Sequence, residues 1–202
     1  MKKIKFIYFD IGGVMCDTSN YFKGVTTKFN IPLDEFINFW LGGDLADAMT
    51  RGKITPEEFW KQAIKKFDLK NAGNINFVES WMNDYKPRFE VHELVKKLFK
   101  KYKIGLISNL YHGMMPRLIE KGLIANIKYS TMVLSNKVGL RKPEKEIYEL
   151  ATNLAEVNIE EILLIDDRQD FIKAARDYGW QTVWFDLNNI DKSIKQIEKL
   201  LA

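Results

Sequence analysis

Lys3-Ile4-Lys5-Phe6-Ile7-Tyr8-Phe9-Asp10-Ile11-Gly12-Gly13-Val14-Met15-Cys16 is the stretch on which the reading of this chain turns. Apolar side chains run unbroken from Phe6 to Phe9 and stop at a carboxylate, with two glycines just beyond. The run has the length of a buried strand, and Gly12-Gly13 reads as a tight turn where backbone approaches another group closely. A carboxylate at the end of an early buried strand is costly unless a cation answers it. Asp10 has a plainer reading as the cap of the next turn through its side chain. The rest of the chain decides between the two.

From residue 89 onward, helical and strand patterns alternate. A helix is expected over 91–101, then the strand Ile104–Ile107 ending at Ser108-Asn109, then a helix over 114–121. A strand over 129–134 follows, and Lys142-Pro143 opens a helix through Ile147, Leu150 and Leu154. The strand Ile162–Ile165 ends at Asp166-Asp167, a helix covers 168–178, a strand 182–185, and a last helix starts near Asn189. This alternation predicts an α/β fold built on a doubly wound parallel sheet with right-handed crossovers. Such sheets bind ligands beyond the carboxyl ends of their strands, where the winding reverses. Asp10, Ser108 and Asp166-Asp167 all fall at strand carboxyl ends, so one crevice can hold them.

Residues 17–88 interrupt the pattern with helices and no convincing strand. Asp17-Thr18-Ser19 can cap a helix through Phe22, Val25 and Phe29, and Leu33–Leu41 carries Phe36, Ile37, Phe39 and Trp40 at helical spacing. Asp44–Arg51 is short, Thr55-Pro56-Glu57-Glu58 is a capping box with proline at the first helical position, and a weaker helix covers 75–85. Lys86-Pro87-Arg88 then reads as a linker. The expected organisation is a core of residues 1–16 and 89–202 with a small helical insertion over 17–88.

With 202 residues, 46% hydrophobic and 13% aromatic, the chain has core enough for one α/β domain with an insertion. Its net charge of +4 comes from dispersed lysines. Lys96, Lys97, Lys100, Lys101 and Lys103 form the densest group, read as the solvated face and tail of one helix in preference to a nucleic-acid surface. The single cysteine, Cys16, rules out an internal disulfide and a cysteine-built zinc site. Charged Lys2-Lys3 leading into a short strand does not resemble a signal peptide, and no segment approaches the ~20 apolar residues of a membrane span. The expectation is a cytoplasmic protein with neither a nucleic-acid nor a membrane partner.

Carboxylates meeting in one crevice repel one another, and burial raises that cost. Oxygen ligands with no histidine or cysteine close by in sequence suit magnesium, which keeps waters and shares a phosphate. Lys142 adds a fixed positive charge from a loop, and Ser108 a hydroxyl at a strand end. A carboxylate nucleophile, a metal, a lysine and a hydroxyl donor are what phosphoryl transfer through an aspartyl phosphate requires.

Four separated motifs carry a resemblance: Phe9-Asp10-Ile11-Gly12-Gly13-Val14, Ile107-Ser108-Asn109, Gly139-Leu140-Arg141-Lys142-Pro143 with Ile147-Tyr148, and Leu164-Ile165-Asp166-Asp167. In this order and spacing the chain resembles the haloacid dehalogenase superfamily of phosphohydrolases, and the helical insertion falls where that family carries a small helical cap. The resemblance implies that Asp10 is the nucleophile and a Mg²⁺ ligand. Gly12 would ligate through its backbone carbonyl and Asp167 directly, with Asp166 beside it. Ser108 and Asn109 would hold the phosphoryl group and Lys142 neutralise it. The implied activity is hydrolysis of a small phosphorylated metabolite, a sugar phosphate being the suggestion of the Asp-x-Gly-x-Val subgroup.

Two departures keep other readings open. The family's phosphatases usually place a second aspartate, a general acid and base, where this chain has Gly12. They also often place an asparagine where it has Phe171, with Asp170 one residue earlier. A weakly catalytic or non-catalytic relative that binds a phosphorylated ligand or a protein partner is one alternative, and a haloacid dehalogenase another. Cys16 is expected to be a packed thiol, His112 a turn residue and His92 solvated. Phe36, Phe39, Trp40, Phe59 and Trp60 are expected in the core of the insertion with one or two facing the cleft. Arg51 and Lys53, beside the Gly52 turn, are candidates to greet an anionic substrate or an exposed turn.

Overall fold

Phe6–Phe9 forms strand β1, and it is the middle strand of a five-stranded parallel sheet. The computed structural model describes residues 3–201, so Lys2 of the charged start lies outside it. After β1 the chain makes β2 (Cys16–Asp17), then five helices: α1 (Lys23–Phe29), α2 (Leu33–Leu41), α3 (Asp44–Thr50), α4 (Pro56–Lys66) and α5 (Phe77–Met82). Strand β3 (Lys86–Pro87) precedes α6 (Phe89–Phe99), β4 (Lys103–Ser108), α7 (Met114–Glu120), β5 (Thr131–Leu134) and the one-turn α8 (Ser135–Val138). Then come α9 (Lys145–Ala155), a 3₁₀ turn (Ile159–Glu161), β6 (Ile162–Asp166), α10 (Gln169–Tyr178), β7 (Gln181–Trp184) and α11 (Ile190–Leu201). No helix among the described residues is long and apolar enough to cross a membrane.

The strand order is β5-β4-β1-β6-β7. The chain winds outward from β1 through β4 to β5, returns to the other side of β1, and continues through β6 to β7. The reversal therefore falls at β1, and its carboxyl end faces the crevice where such sheets bind ligands. Every residue of β1 is buried, as a strand covered by helices on both faces must be. Gly105 in β4 lies opposite Tyr8, and a Cβ there would come within 2.6 Å of the Tyr8 ring and 2.8 Å of the Phe6 ring. That glycine is needed for close approach, because two aromatic rings lie over its Cα.

The helices of the insertion surround an aromatic core. Phe22 packs on Phe36 and Trp81 at ring-centroid distances of 4.9 and 4.6 Å, and Trp60 stacks on Phe77 at 4.9 Å. Each such ring buries much apolar area and adds an orientation-dependent attraction. Thr55 and Glu58 form the expected capping box at the start of α4. Two boundaries differ from the sequence expectation. Asp17 belongs to a strand and α1 starts only at Lys23, while Lys86-Pro87 is a strand in place of a free linker. Cys16 pairs antiparallel with Pro87 and Asp17 with Lys86, so a two-residue ladder joins the start and finish of the insertion. Two residues are too few to show a period-2 pattern, which is why the sequence hid them.

Replacing Gly105 with alanine should lower unfolding free energy by about 1–3 kcal/mol, the usual cost of overpacking a filled core. Urea denaturation monitored by tryptophan fluorescence would show it; an unmoved midpoint would mean that the Tyr8 and Phe6 rings have room to shift.

Candidate active site

Asp10 follows β1 by one residue, and its N–H bonds Ile165 O at 3.0 Å, extending the ladder one step. Because Phe9 pairs with Ile165, that step sets Asp10 beside Asp166, the last residue of β6. Parallel register thus forces two buried carboxylates together. Lys142, wholly buried, answers both: its Nζ lies 3.0 Å from Asp10 Oδ1 and 2.5 Å from Asp166 Oδ2. Its loop is clamped by Asn109, whose Oδ1 accepts from Lys142 N–H at 2.9 Å and whose Nδ2 donates to Lys142 O at 2.9 Å. The Phe171 ring lies 4.9 Å from the ammonium and the Arg168 guanidinium 4.6 Å from the same ring.

Asp167 completes the cluster, with carboxylate oxygens of Asp10, Asp166 and Asp167 all within 4.8 Å of one another. Gly13 makes this possible. At φ +82° it bends the loop onto Asp167, and a Cβ there would sit 2.7 Å from the carboxyl group. Gly12 is different: its φ is not in the left-handed region, and a Cβ would meet only Thr18, at 3.7 Å. Of the two glycines in the turn, only Gly13 is required by the backbone.

Burial alone would push the Lys142 ammonium down, but the charges of Asp10 and Asp166 outweigh it and hold the group above its ordinary value. Burial raises the Asp166 carboxyl; Lys142 opposes the rise and Asp10 adds to it. Asp167 is raised to about 6, by burial first and by the charge of Asp10 second. One ammonium therefore faces three carboxylates, and the site is short of positive charge. Asp10 Oδ1 marks the shortfall: it is buried without a hydrogen bond of normal geometry, although Lys142 lies near. An all-oxygen donor set with an orphaned carboxylate oxygen fits a hard divalent ion such as Mg²⁺.

A cavity of about 420 Å³ opens above these groups, with Asp10, Gly12, Ser108, Asn109 and Asp167 in its floor. That volume lies within the range of small-molecule sites. A wider depression of about 1270 Å³ at the amino ends of the strands is lined by Lys3, Lys5, Lys103, Glu156 and Glu161 and brings no carboxylate cluster together. The structure gathers Asp10, Gly12, Ser108, Asn109, Lys142, Asp166 and Asp167 at one end of the sheet. Asp170 lines the cavity but not the carboxylate cluster, being paired with Arg168 at 2.7 Å, and Phe171 lends its ring to the cations. The Asn109 amide, expected at phosphate, is committed to the backbone of Lys142.

Of the remaining expectations, the packing overturns some and keeps others. His92 is buried, not solvated, and its Nε2 lies 3.0 Å from Met15 O. Arg51 is an ion-pair bridge, bonded to Asp47 and Glu144, and leaves no free charge for a substrate; Lys53 is simply exposed. His112 meets Gly52 O at 2.9 Å, as a turn contact. Cys16 is a packed thiol pushed up to about 12, by burial and then by Asp10. Lys96, Lys97, Lys100, Lys101 and Lys103 are exposed, as expected of a solvated face. Of Phe36, Phe39, Trp40, Phe59 and Trp60 only Trp40 reaches the cleft, where besides Phe171 the rings of Tyr21, Trp81, Tyr85 and Tyr111 also form the lining. Nothing in their local pattern distinguishes these four from core rings.

The match to the family model of haloacid dehalogenase-like hydrolases spans residues 7–185. The chain belongs to this family. It is 26% identical to the D-ribitol-5-phosphate phosphatase of Bacteroides thetaiotaomicron, over 89% of this chain and 90% of that protein. A family enzyme of the same organism, solved with magnesium and inorganic phosphate, superposes with a TM-score of 0.73 at 23% identity, covering 90% of this chain and 93% of that one. The L-2-haloacid dehalogenase of Xanthobacter autotrophicus shares the fold at a TM-score of 0.65 and 16% identity, over 90% and 77% of the two chains.

The raised Asp167 gives a signed pH dependence in the absence of divalent metal. Its folded value of about 6 exceeds the 3.8 of a free carboxyl, so the folded state holds the proton more tightly. Its contribution to stability is greatest below pH 4 and is lost as pH rises from about 4 to about 6. Asp167→Asn should flatten that part of the melting-temperature profile in EDTA and raise the melting temperature at pH 7; an unchanged profile would show that Asp167 is not charged at the expense of the fold.

Proposed function

We propose that this hydrolase is a magnesium-dependent phosphatase of a small phosphorylated metabolite, a sugar or sugar-alcohol phosphate, working through an aspartyl phosphate on Asp10. The observation that carries the reading is the buried ammonium of Lys142 set against Asp10 and Asp166, with Asp167 beside them, below a cleft at the switch point of the sheet. A phosphate dianion approaching a carboxylate nucleophile must be met by fixed positive charge, which such a site supplies by preorganisation. The phosphatase similar to this chain and the magnesium and phosphate of its structural neighbour support the same choice. A dehalogenase has no use for a cluster of three acidic groups that calls for a cation.

In this reading Asp10, Asp167 and the backbone carbonyl of Gly12 would hold Mg²⁺, with Asp166 beside them. The bound ion would neutralise charge on the phosphoryl oxygens. Lys142 sets its charge against Asp10 and Asp166 and holds the nucleophile in place. Ser108, at the end of β4, donates its hydroxyl to the phosphoryl group. The share of Asn109 falls to its backbone, since its amide fixes the lysine loop. Asp10 attacks phosphorus, the ester oxygen departs with the bonding pair and takes a proton from solvent, and water then cleaves the acyl phosphate, releasing inorganic phosphate and regenerating the carboxylate. Residues 17–88 act as the cap over this reaction, with 1–16 and 89–202 as the catalytic core.

Asp10→Asn should cut turnover of 4-nitrophenyl phosphate by at least roughly 10³-fold, as loss of a catalytic group does, while the protein stays folded by circular dichroism. Near-normal turnover in that variant would refute the assignment.

The glycine at position 12 sets a second test. General-acid help to the leaving group is worth roughly 10²–10⁴-fold, and no carboxyl stands at position 12 to give it. Rates across phosphate esters of graded leaving-group pKa should therefore fall steeply, acyl and aryl phosphates outrunning alkyl ones. Because the backbone there tolerates a side chain, Gly12→Asp should fold and flatten the slope. A flat dependence in the wild type would mean that another acid serves the leaving oxygen.

A further inference from the structure

Arg88 is a charged residue with no part in the chemistry described so far. It follows β3 directly, where the chain returns from the helical insertion and α6 begins. Only 12% of its side chain is exposed. The carboxylate beside it does not account for that burial, because Asp17 Oδ1 lies 3.8 Å from Nη2, beyond hydrogen-bond reach. The short contact is elsewhere. Arg88 Nε–H donates to Gly13 O at 2.8 Å, a charge-assisted bond to the backbone of the turn after β1.

That turn is only partly held by its own backbone. Met15 N–H and Cys16 N–H both donate to Ile11 O, at 2.8 and 3.2 Å, and Gly13 N–H donates to Cys16 O at 2.8 Å. Arg88 supplies two further bonds, its Nε–H on Gly13 O and its main-chain N–H on Met15 O at 2.9 Å. None of these bonds uses the Gly12 carbonyl. The peptide unit that bears this carbonyl is tied at one end, by Gly13 N–H on Cys16 O, and is hinged at the other on Gly13. A glycine turns easily about both its backbone bonds, and this one must hold φ +82° with the Asp167 carboxyl packed where a Cβ would sit. The guanidinium on Gly13 O takes that freedom away.

We propose that Arg88 is a positioning residue for the metal, fixing the Gly12-Gly13 turn so that the Gly12 carbonyl and Asp167 keep the arrangement that receives Mg²⁺. The inference rests on the ligand set of the phosphatase reading and adds to it a residue from behind the cleft. Charge and position make opposite demands here. A guanidinium bonded to the next carbonyl along repels a cation, so by charge alone its removal would tighten Mg²⁺ binding. Loss of the anchor weakens it.

The test follows melting temperature against Mg²⁺ concentration, without substrate, in the wild type, Arg88→Met and Arg88→Gln. A ligand of the folded state raises the melting temperature with its occupancy, so the concentration dependence reports affinity apart from any loss of stability in EDTA. Arg88→Met keeps the apolar stem and removes the donor, and the Mg²⁺ concentration for a given rise should increase about tenfold or more, as when a group that orients a metal ligand is lost. Arg88→Gln removes the charge but keeps an N–H at the same reach along the side chain. It should respond at the wild-type Mg²⁺ concentration or below it. The Mg²⁺ concentration for half-maximal turnover of 4-nitrophenyl phosphate should move with the melting curves in both variants. An unchanged or tighter response in Arg88→Met would overturn the proposal, and so would a loss in Arg88→Gln equal to that in Arg88→Met. If Arg88→Met does not fold, Arg88→Gln decides alone: a Mg²⁺ requirement above that of the wild type overturns the role, and one at or below it upholds it. A wild type whose melting temperature ignores Mg²⁺ would instead defeat the metal site beneath the proposal.

Discussion

The ammonium of Lys142, buried between Asp10 and Asp166, is the contact on which the rest of this molecule depends. Two carboxylates brought side by side by parallel register would drive the carboxyl ends of β1 and β6 apart without it. Taking an ion pair out of water costs several kcal/mol per charge, and the attraction regained repays it only when geometry is good. The structure supplies that geometry with much of its polar apparatus. Asn109 fastens the lysine loop from the end of β4, Phe171 lays a ring against the ammonium, and Gly13 folds its turn so that Asp167 can come close. The strand ends, the loop after α8 and the start of α10 are therefore held by one electrostatic arrangement.

That arrangement is incompletely satisfied, and the incompleteness is what makes it chemical. A fully balanced set of charges would be a structural salt bridge, inert and indifferent to solutes. Here three acidic groups share one ammonium, and the buried Asp10 Oδ1 has the Lys142 ion pair at 3.0 Å but no hydrogen bond of normal geometry. Elsewhere on the cleft the opposite holds. Arg141 and Arg168, which line it, are each paired with a protein carboxylate. The contrast separates a floor that needs positive charge from walls that have none to spare.

How much of this the sequence disclosed follows from how local each signal is. The β1 run, the Ser108 and Asp166 strand ends and the capping box at Thr55 are written in contiguous residues, and they appear where periodicity and capping chemistry put them. The clustering of Asp10 and Asp166 was legible because strand ends in a parallel sheet converge; Lys142 reaches them from a loop, and the family resemblance placed it there. What stayed hidden depends on partners far away in the chain. His92 looked like one more polar residue in a lysine-rich helix until its approach to Met15 O placed it inside. Arg51 meets Glu144 across 93 residues, and a side chain's partner at that range leaves no trace in its neighbours. Trp81 and Tyr111 read as ordinary core aromatics, since only the assembled cleft distinguishes a ring at its wall from one behind it. Gly12 and Gly13, indistinguishable in composition, part company only in backbone torsion.

The ladder of Cys16-Asp17 with Lys86-Pro87 has a consequence for how such a protein changes over generations. It brings the two points where the sheet domain is interrupted next to each other. From the sheet's side, everything between them is a loop whose ends already touch. The entropic cost of closing such a loop grows only with the logarithm of its length, about 0.6 kcal/mol per doubling. The helices between β2 and β3 can therefore lengthen, shorten or be exchanged for another segment at little cost to the sheet. The strand-end cluster of Asp10, Lys142 and Asp166 can therefore stay constant while the helical segment beside it is exchanged.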